Sequence, residues 1–212
     1  MSELLILFTT MALLTVTPGP NNFLLATSGV QYGFRRSLPT LLGIVLGLPF
    51  LCLCVGLGLG PVFQAVPLIQ TGLKFAGAAY LLYLAWRVAT TTAAPKAESE
   101  SEAETESEAE ATAATAPIGF VRMAGFQWIN PKVWSMAITA TTTYMASDRI
   151  DIAGAFIVAA VMVVTTGVFN TVWLIAGTLM RHWLSVGHRL LWFNRGMGLL
   201  LSGFVVLLLL TS

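Results

Sequence analysis

The chain has 212 residues, of which 56% are hydrophobic and 10% are charged, and its mean hydropathy is +0.80. Soluble domains carry about 25% charged residues, so this composition excludes a soluble globular protein and indicates an integral membrane domain. The formal net charge is +1, but seven of the ten acidic residues lie between Glu98 and Glu110, and the rest of the chain carries +8.

Six apolar runs are long enough for transmembrane helices, which need about 20 residues each. They lie near residues 4–29, 38–60, 68–89, 119–145, 153–179 and 191–211. The fourth is the weakest, because it contains Arg122, Gln127, Asn130 and Lys132. The pattern predicts an all-α integral membrane protein with six transmembrane helices.

The first apolar run is interrupted near its midpoint by Thr17-Pro18-Gly19-Pro20-Asn21-Asn22. Each proline removes a backbone donor and clashes with the preceding turn, so the helix should break there. Broken backbone within a bilayer survives only where it is buried in protein or lines a polar cavity. We therefore expect Pro18, Gly19, Pro20, Asn21 and Asn22 to contribute to a binding site, although a kinked structural helix would show the same residues.

A second break is predicted at Asn130-Pro131-Lys132, at a similar depth in the fourth run. Two interrupted helices at matching positions in two halves of a chain indicate a transporter binding site. The second half is then expected to be an inverted copy of the first, with three helices in each, and helices 1 and 4 broken. The repeats are assigned to residues 1–90 and 118–212.

Arginine and lysine set the orientation, because they are enriched in cytoplasmic loops. Eight of the eleven basic residues fall on one side of the predicted spans, which places both termini outside. They are Arg35, Arg36, Arg87, Lys96, Arg122, Arg181, Arg189 and Arg195. Residues 91–117 lie on the same side; they are rich in Glu, Ser, Ala and Thr, and are predicted to be a disordered acidic cytoplasmic linker.

Lys132 is the single charged side chain predicted near mid-membrane, and intramembrane polar groups are functional by default. Either it faces a wet cavity, or the fourth span is displaced and Lys132 lies near a surface. The helix that starts near Asn21 presents a positive dipole end, which suits a carboxylate, as Lys132 does. Carbonyls freed by the break suit an ammonium, so a zwitterionic amino acid matches both. Gln127 and Asn170 are further intramembrane polar candidates.

The predicted spans contain no Asp or Glu, the residues that often carry protons in coupled transporters. Coupling would therefore need Lys132, a loop carboxylate such as Asp148 or Asp151, or the substrate itself; otherwise transport is uncoupled, as in a channel. The two cysteines, Cys52 and Cys54, lie on one span with no counterpart in the second half. That arrangement disfavours the alternative of a transmembrane thiol-disulfide carrier.

The segments Thr17-Pro18-Gly19-Pro20-Asn21-Asn22 and Gly33-Phe34-Arg35 resemble the N-terminal signature of the LysE/RhtB family of amino-acid exporters. Gly77-Ala78-Ala79-Tyr80-Leu81 and Phe126-Gln127 with Asn130-Pro131-Lys132 resemble its third and fourth spans. Phe169-Asn170 with Trp173 and Gly177 is similar to the fifth span of the cysteine/O-acetylserine branch. The acidic insert near residues 93–116 departs from the family's shorter linker.

This resemblance implies a bacterial inner-membrane exporter, not an enzyme, that moves a small amino acid or derivative outward by proton antiport. The substrate would belong to the cysteine, O-acetylserine, threonine or homoserine class. The expected partners are the amino acid, protons and the lipid bilayer. Whether the chain forms a homo-oligomer is left open. No cofactor, metal or nucleic acid is expected.

Overall fold

A computed structural model of the chain describes residues 2–91, 116–145, 151–184, 186 and 188–210. The predicted acidic linker lies outside the described residues except at its two ends. Within the described part of the chain the secondary structure is entirely helical, with nine α-helices and one π-helical turn. In chain order these are α1 (Ser2–Val16), α2 (Pro20–Arg36), α3 (Leu38–Cys54), the π-helical turn (Val55–Leu59), α4 (Gly60–Ala65), α5 (Pro67–Thr90), α6 (Phe120–Ile129), α7 (Pro131–Tyr144), α8 (Ile152–Leu184) and α9 (Arg189–Leu210).

The first predicted break is confirmed. Helix α1 ends at Val16, α2 begins at Pro20, and the two helices are bent by 55° relative to each other. Gly19 between them has extended backbone, with φ −173° and ψ −179°. Proline is favoured at the first position of a helix, where its missing N–H has no intrahelical acceptor to lose.

The second predicted break is also confirmed. Helix α6 ends at Ile129 and α7 begins at Pro131, with Asn130 in an extended conformation between them. The Asn130 side chain accepts a hydrogen bond of 3.2 Å from the backbone N–H of Lys132. This is an N-terminal cap, which satisfies one of the donors that every helix start leaves unpaired.

Four helical stretches are long and apolar enough to cross a membrane, and the bent pair α1–α2 would make a fifth. The four are Leu38–Phe63, Pro67–Thr90, Ile152–Leu184 and Arg189–Leu210. Helices α6 and α7, with 10 and 14 residues, are each too short to span alone. The residues that the structure describes therefore supply four to five apolar spans by length and composition, and the sixth stays a prediction.

Helix α2 packs closely on α8, where both carry glycine. A Cβ built on Gly29 would lie 2.5 Å from the Leu174 carbonyl oxygen, and one built on Gly177 would collide with the Ala26 carbonyl. Helix α3 approaches α6 in the same way: a Cβ on Gly43 would lie 2.7 Å from the Phe120 carbonyl oxygen. Glycine at these positions lets the helices approach closely.

The two breaks lie along the boundary between two apolar clusters. One cluster joins α2, α5, α6 and α9 and includes Leu25, Leu81, Phe126 and Leu201. The other joins α1, α3, α7 and α8 and includes Leu7, Met11, Val133 and Met162. Each broken span thus contributes one half-helix to each cluster. The polar residues of both breaks are held between two packed apolar layers.

Candidate functional site

The two breaks meet through Asn21 at the start of α2. Its Nδ2 donates a hydrogen bond of 2.8 Å to Gln127 Oε1. Its Oδ1 accepts hydrogen bonds of 3.4 Å from Gln127 Nε2 and from Asn130 Nδ2. Gln127 and Asn130 are buried, at 0% and 1% exposure. One amide therefore joins two segments more than 100 residues apart in the sequence.

Lys132 lies against the other side of the first break. Its ammonium donates a hydrogen bond of 2.6 Å to the Thr17 carbonyl oxygen. In an unbroken helix this carbonyl would accept a hydrogen bond from a backbone N–H one turn further on. Because α1 ends at Val16, that helical donor is missing. The side chain is half-buried and lines a cavity at the break. Lys132 thus lines a cavity, and its depth in the membrane stays a prediction.

Gly19 is where α1, α2 and Lys132 come closest. A Cβ built there would lie 2.9 Å from both Cδ and Nζ of Lys132. The extended backbone of Gly19 is open to any residue, so what requires glycine is space rather than conformation. The missing side chain leaves room for the Lys132 ammonium to reach the Thr17 carbonyl.

The Asn22 side chain bonds the C-terminal end of α1, whereas that of Asn21 bonds α6. Its Nδ2 donates to the Thr15 and Thr17 carbonyl oxygens, at 3.0 and 2.9 Å. The side chain is 3% exposed. The Thr17 carbonyl thus accepts from both an amide and an ammonium, and the break is fixed by side chains from α2 and α7.

A small cavity lies between the breaks and has a volume of about 20 Å³, which is room for about one water molecule. Its lining includes six of the predicted site residues, namely Gly19, Asn21, Asn22, Asn130, Lys132 and Asn170. Gln127 contacts the cavity lining through Asn21. The prolines act on the backbone: Pro18 is exposed, whereas Pro20 and Pro131 begin the two helices.

Two buried oxygens in the cavity wall have no hydrogen-bond partner in the described structure, Thr15 Oγ1 and Asn170 Oδ1. A buried polar atom left without a hydrogen bond destabilises a protein by about 1–3 kcal/mol. A polar ligand in the cavity would supply the missing hydrogen bonds to both oxygens. Asn170 was predicted from the sequence. Thr15 was missed, because a threonine in an apolar helix usually bonds the carbonyl one turn back, and the sequence does not show otherwise.

The cavity offers both signs of partner to a small polar molecule. Donors come from the Lys132 ammonium and from the first backbone N–H groups of α2. The N-terminus of a helix carries a partial positive charge, so it attracts an anion. Acceptors come from the Thr17 carbonyl, Thr15 Oγ1 and Asn170 Oδ1. Neither acidic residue of the described chain, Glu3 or Asp151, lines it. Among the described residues no three His, Cys, Asp or Glu form a metal-binding cluster.

A pair of broken helices that encloses a polar cavity is typical of a transport protein. Residues 12–212 match the family described as LysE type translocator. The chain therefore belongs to the LysE family, and the resemblance seen in the sequence is confirmed.

The chain is also similar to two curated proteins, each named a cysteine/O-acetylserine efflux protein. The one from Salmonella choleraesuis (strain SC-B67) is 33% identical over 181 residues, covering 84% of either chain. The one from Escherichia coli O1:K1 / APEC is 31% identical over 180 residues, again covering 84% of either chain. No solved structure matches the chain.

Proposed function

We propose that this protein exports a small amino acid or amino-acid derivative from the bacterial cytoplasm. The observation that carries the proposal is the cavity at the two breaks. There the Lys132 ammonium, 2.6 Å from the Thr17 carbonyl, lies beside unpaired oxygens of Thr15 and Asn170. A zwitterion presents one group to each kind of partner.

Binding follows from an exchange of hydrogen-bond partners. The substrate ammonium takes the Thr17 carbonyl and the free oxygens of Thr15 and Asn170. The Lys132 ammonium is released from that carbonyl and turns to the substrate carboxylate, which also meets the N-terminal end of α2. A cavity of about 20 Å³ is too small for an amino acid, so the surrounding helices must move apart to admit one.

The substrate class follows the relatives. Proteins about one-third identical over most of their length are named for cysteine and O-acetylserine efflux. Both compounds are small zwitterions whose side chains would fit near Leu14, Leu48 and Met136 in the cavity wall. Threonine and homoserine are of similar size and stay in the proposed class.

The proposed architecture is six spans in two inverted repeats, 1–90 and 118–212, with α6 and α7 together as the fourth span. The helix contacts support it. The first span packs on the fifth, mainly through α2 and α8, and the second packs on the fourth, mainly through α3 and α6. These contacts are equivalent under the repeat at the level of whole spans, although they use opposite halves of the two broken spans. The second also packs on the fifth, and the third on the sixth, through α5 and α9.

The orientation and the driving force belong to the same proposal. With most arginines in the cytoplasm, both termini lie outside the inner membrane. Export against a gradient is driven by proton antiport, with Lys132, Asp151 or the substrate carrying the proton. A homo-oligomer in the lipid bilayer is compatible with the exposed apolar helix faces.

The test is an efflux screen over the twenty amino acids, homoserine and O-acetylserine. Cells that express the protein should excrete at least one of them and tolerate more of it in the medium than cells with an empty vector. Inverted membrane vesicles should accumulate the same compound when energised. If no compound shows raised tolerance, excretion or vesicle uptake, the proposal of amino-acid export is wrong.

A further inference from the structure

A second cavity lies between α2 and α5, further along α2 than the cavity at the breaks. Its volume is about 50 Å³. On α2 its lining extends from Leu24 to Tyr32, whereas Asn21 and Asn22 line the cavity at the breaks. Leu24 follows Asn21 by three residues, which is about one helical turn. The two cavities therefore succeed each other along the same helix.

The residues of α2 that line the second cavity share a face with Asn21. Leu24, Ser28 and Gln31 follow it at successive spacings of three, four and three residues. Residues at these spacings lie on the same side of a helix. The Asn21 side chain bonds Gln127 of α6, so this face of α2 connects the site at the breaks with the second cavity.

The second cavity is lined by polar groups within an otherwise apolar region. Its lining includes three hydroxyl groups and one amide, all on buried side chains, namely those of Thr27, Ser28, Thr40 and Gln31. Leu24 lies between these groups and the breaks. Polar groups are costly to bury, and packing alone would favour apolar side chains here. A route for a polar molecule accounts for them.

One side-chain hydrogen bond joins α2 to α9 beside this cavity. Gln31 Nε2 donates to Asn194 Oδ1 at 3.3 Å, and Asn194 Nδ2 donates to the Thr91 carbonyl oxygen, just after α5, at 2.8 Å. Gln31 is 4% exposed and Asn194 is fully buried. A bond of 3.3 Å between two neutral amides is long, so its loss has a modest cost in free energy.

The helices on the two sides of this bond pack mainly with other partners. Helix α2 packs mainly on α8, and α9 packs mainly on α5. The Gln31–Asn194 hydrogen bond therefore links two helix pairs that are each held together by their own packing. The α2–α8 pair can separate from the α5–α9 pair without breaking either, and the second cavity lies where the two pairs would part.

We propose that the cavity between α2 and α5 is the cytoplasmic part of the substrate path, and that the Gln31–Asn194 hydrogen bond is its gate. When this bond opens, α2 moves with α8 away from α5 and α9, and the amino acid passes Ser28 and Leu24 to reach Asn21. The polar groups of the lining then replace water around the zwitterion. The proposal rests on the export function proposed above and identifies the residues that control entry to the site.

The first experiment measures how fast a cysteine on the path reacts. Leu24→Cys is placed in full-length Cys52→Ser/Cys54→Ser protein, which has no other cysteine. A membrane-impermeant maleimide is added to inverted vesicles, whose outer surface is the cytoplasmic face. Adding Gln31→Leu or Asn194→Leu should raise the labelling rate about fivefold, the factor that corresponds to one neutral hydrogen bond. Thr166→Val, at a buried threonine that bonds its own helix, should not change it.

Cys52 distinguishes an opened gate from a loosened fold. It is 0% exposed and belongs to the apolar cluster of α1, α3, α7 and α8, away from the path. In Cys54→Ser protein, Gln31→Leu and Asn194→Leu should leave its labelling rate unchanged. The proposal is overturned if neither variant accelerates labelling of Leu24→Cys, or if both accelerate labelling of Cys52 to the same extent.

The second experiment locks the gate. Gln31→Cys/Asn194→Cys in the same cysteine-free protein is joined by a short, reducible bis-thiosulfonate reagent. Efflux should fall to background and return on reduction. The control is Lys74→Cys/Leu209→Cys, which joins α5 to α9 within one helix pair, where the Lys74 ammonium lies 3.5 Å from the Leu209 carbonyl oxygen. This crosslink should leave efflux unchanged.

The two experiments separate the gate from the export function. If the fully crosslinked Gln31→Cys/Asn194→Cys protein exports as fast as before crosslinking, the gate is wrong while amino-acid export stands. If the wild type exports no compound in the screen, the export function fails. The labelling rates of Leu24→Cys and Cys52 require no substrate, so they test the opening of the cavity in either case.

Discussion

At the scale of the residue, the Thr17 carbonyl is the centre of the first break. It accepts hydrogen bonds from Lys132 Nζ at 2.6 Å and from Asn22 Nδ2 at 2.9 Å. The sequence predicted that a freed carbonyl would be available to an ammonium. In the structure the Lys132 ammonium donates to this carbonyl. Lys132 therefore contacts the acceptor that the proposed substrate needs.

Removing this ammonium should impair transport without removing the protein from the membrane. We expect Lys132→Ala to lower the efflux rate about tenfold or more, because a hydrogen bond to a charged group is worth about 1.5–3 kcal/mol. Asn21→Ala should lower it as well, since Asn21 joins the two breaks. The measurement is substrate efflux normalised to membrane protein. Lys74→Ala, which alters a half-buried lysine that does not line the cavity, is the matched control, and wild-type efflux in Lys132→Ala would assign Lys132 a structural role.

The space at Gly19 gives a second prediction. In Gly19→Ala the new methyl group meets the Lys132 side chain at 2.9 Å and should push the ammonium off the Thr17 carbonyl. Because the obstructing group is a flexible side-chain end, the fold should survive while efflux falls severalfold. Gly72→Ala, at a glycine with open space around it, should leave efflux unchanged. The proposed role of Gly19 would be refuted by equal efflux from the two variants.

At the scale of the element, the sequence predicted both breaks correctly, because proline acts on its own helix and needs no tertiary context. It did not predict the π-helical turn at Val55–Leu59, where Gly58 has φ +118°, a conformation that favours glycine. It also placed the end of the first span near residue 29, whereas α2 continues past it to a kink at Gly33, with φ +78°, and a last turn that ends at Arg36. The extension depends on packing against α8, which a single apolar run does not reveal.

The crossing of α2 and α8 should be sensitive to a single methyl group. In Gly177→Ala the added Cβ collides with the Ala26 carbonyl, which is backbone and cannot turn aside. Overpacking of this kind costs about 1–3 kcal/mol, so the unfolding temperature in detergent should fall by several degrees. Gly203→Ala, on a helical glycine with open space around it, is the control. An unchanged unfolding temperature for Gly177→Ala would mean that the crossing is looser than described.

The cysteines of α3 discriminate between transport and thiol chemistry. Cys52 is buried and Cys54 is half-buried, and both are free. A thiol-disulfide carrier needs reactive cysteines that meet at the membrane centre, and α3 alone supplies these two. We expect Cys52→Ser/Cys54→Ser to export amino acids at the wild-type rate in the efflux assay. Complete loss of activity, with the protein still in the membrane, would favour the thiol carrier.

At the scale of the whole molecule, the number of spans decides on which side the termini lie. Length and composition give four spans in the described residues, or five if the bent pair α1–α2 is one span. Five spans would put the two termini on opposite sides. The proposed six spans put them on the same side. The sequence could not decide this, because the polar groups that weaken the fourth span are those that form the site.

Reporter fusions should resolve the topology. Alkaline phosphatase fused after residue 212 should be active, because the proposed C-terminus lies outside, and green fluorescent protein at the same position should stay dark. The same reporters fused after Thr90, the end of α5, should give the opposite result. An active phosphatase after Thr90, or a fluorescent C-terminal fusion, would contradict the six-span arrangement.

The Lys132–Thr17 contact has an electrical consequence. When Lys132 is protonated it carries one positive charge, and the predicted spans hold no Asp or Glu to balance it. A zwitterion adds no net charge, so the loaded and the empty protein should carry the same charge across the membrane. The membrane potential, worth about 2.3 kcal/mol per elementary charge per 100 mV, would then act only on the coupling ion. The membrane potential of vesicles can be set with valinomycin and potassium. The dependence of efflux on that potential should then give the number of protons exchanged per amino acid.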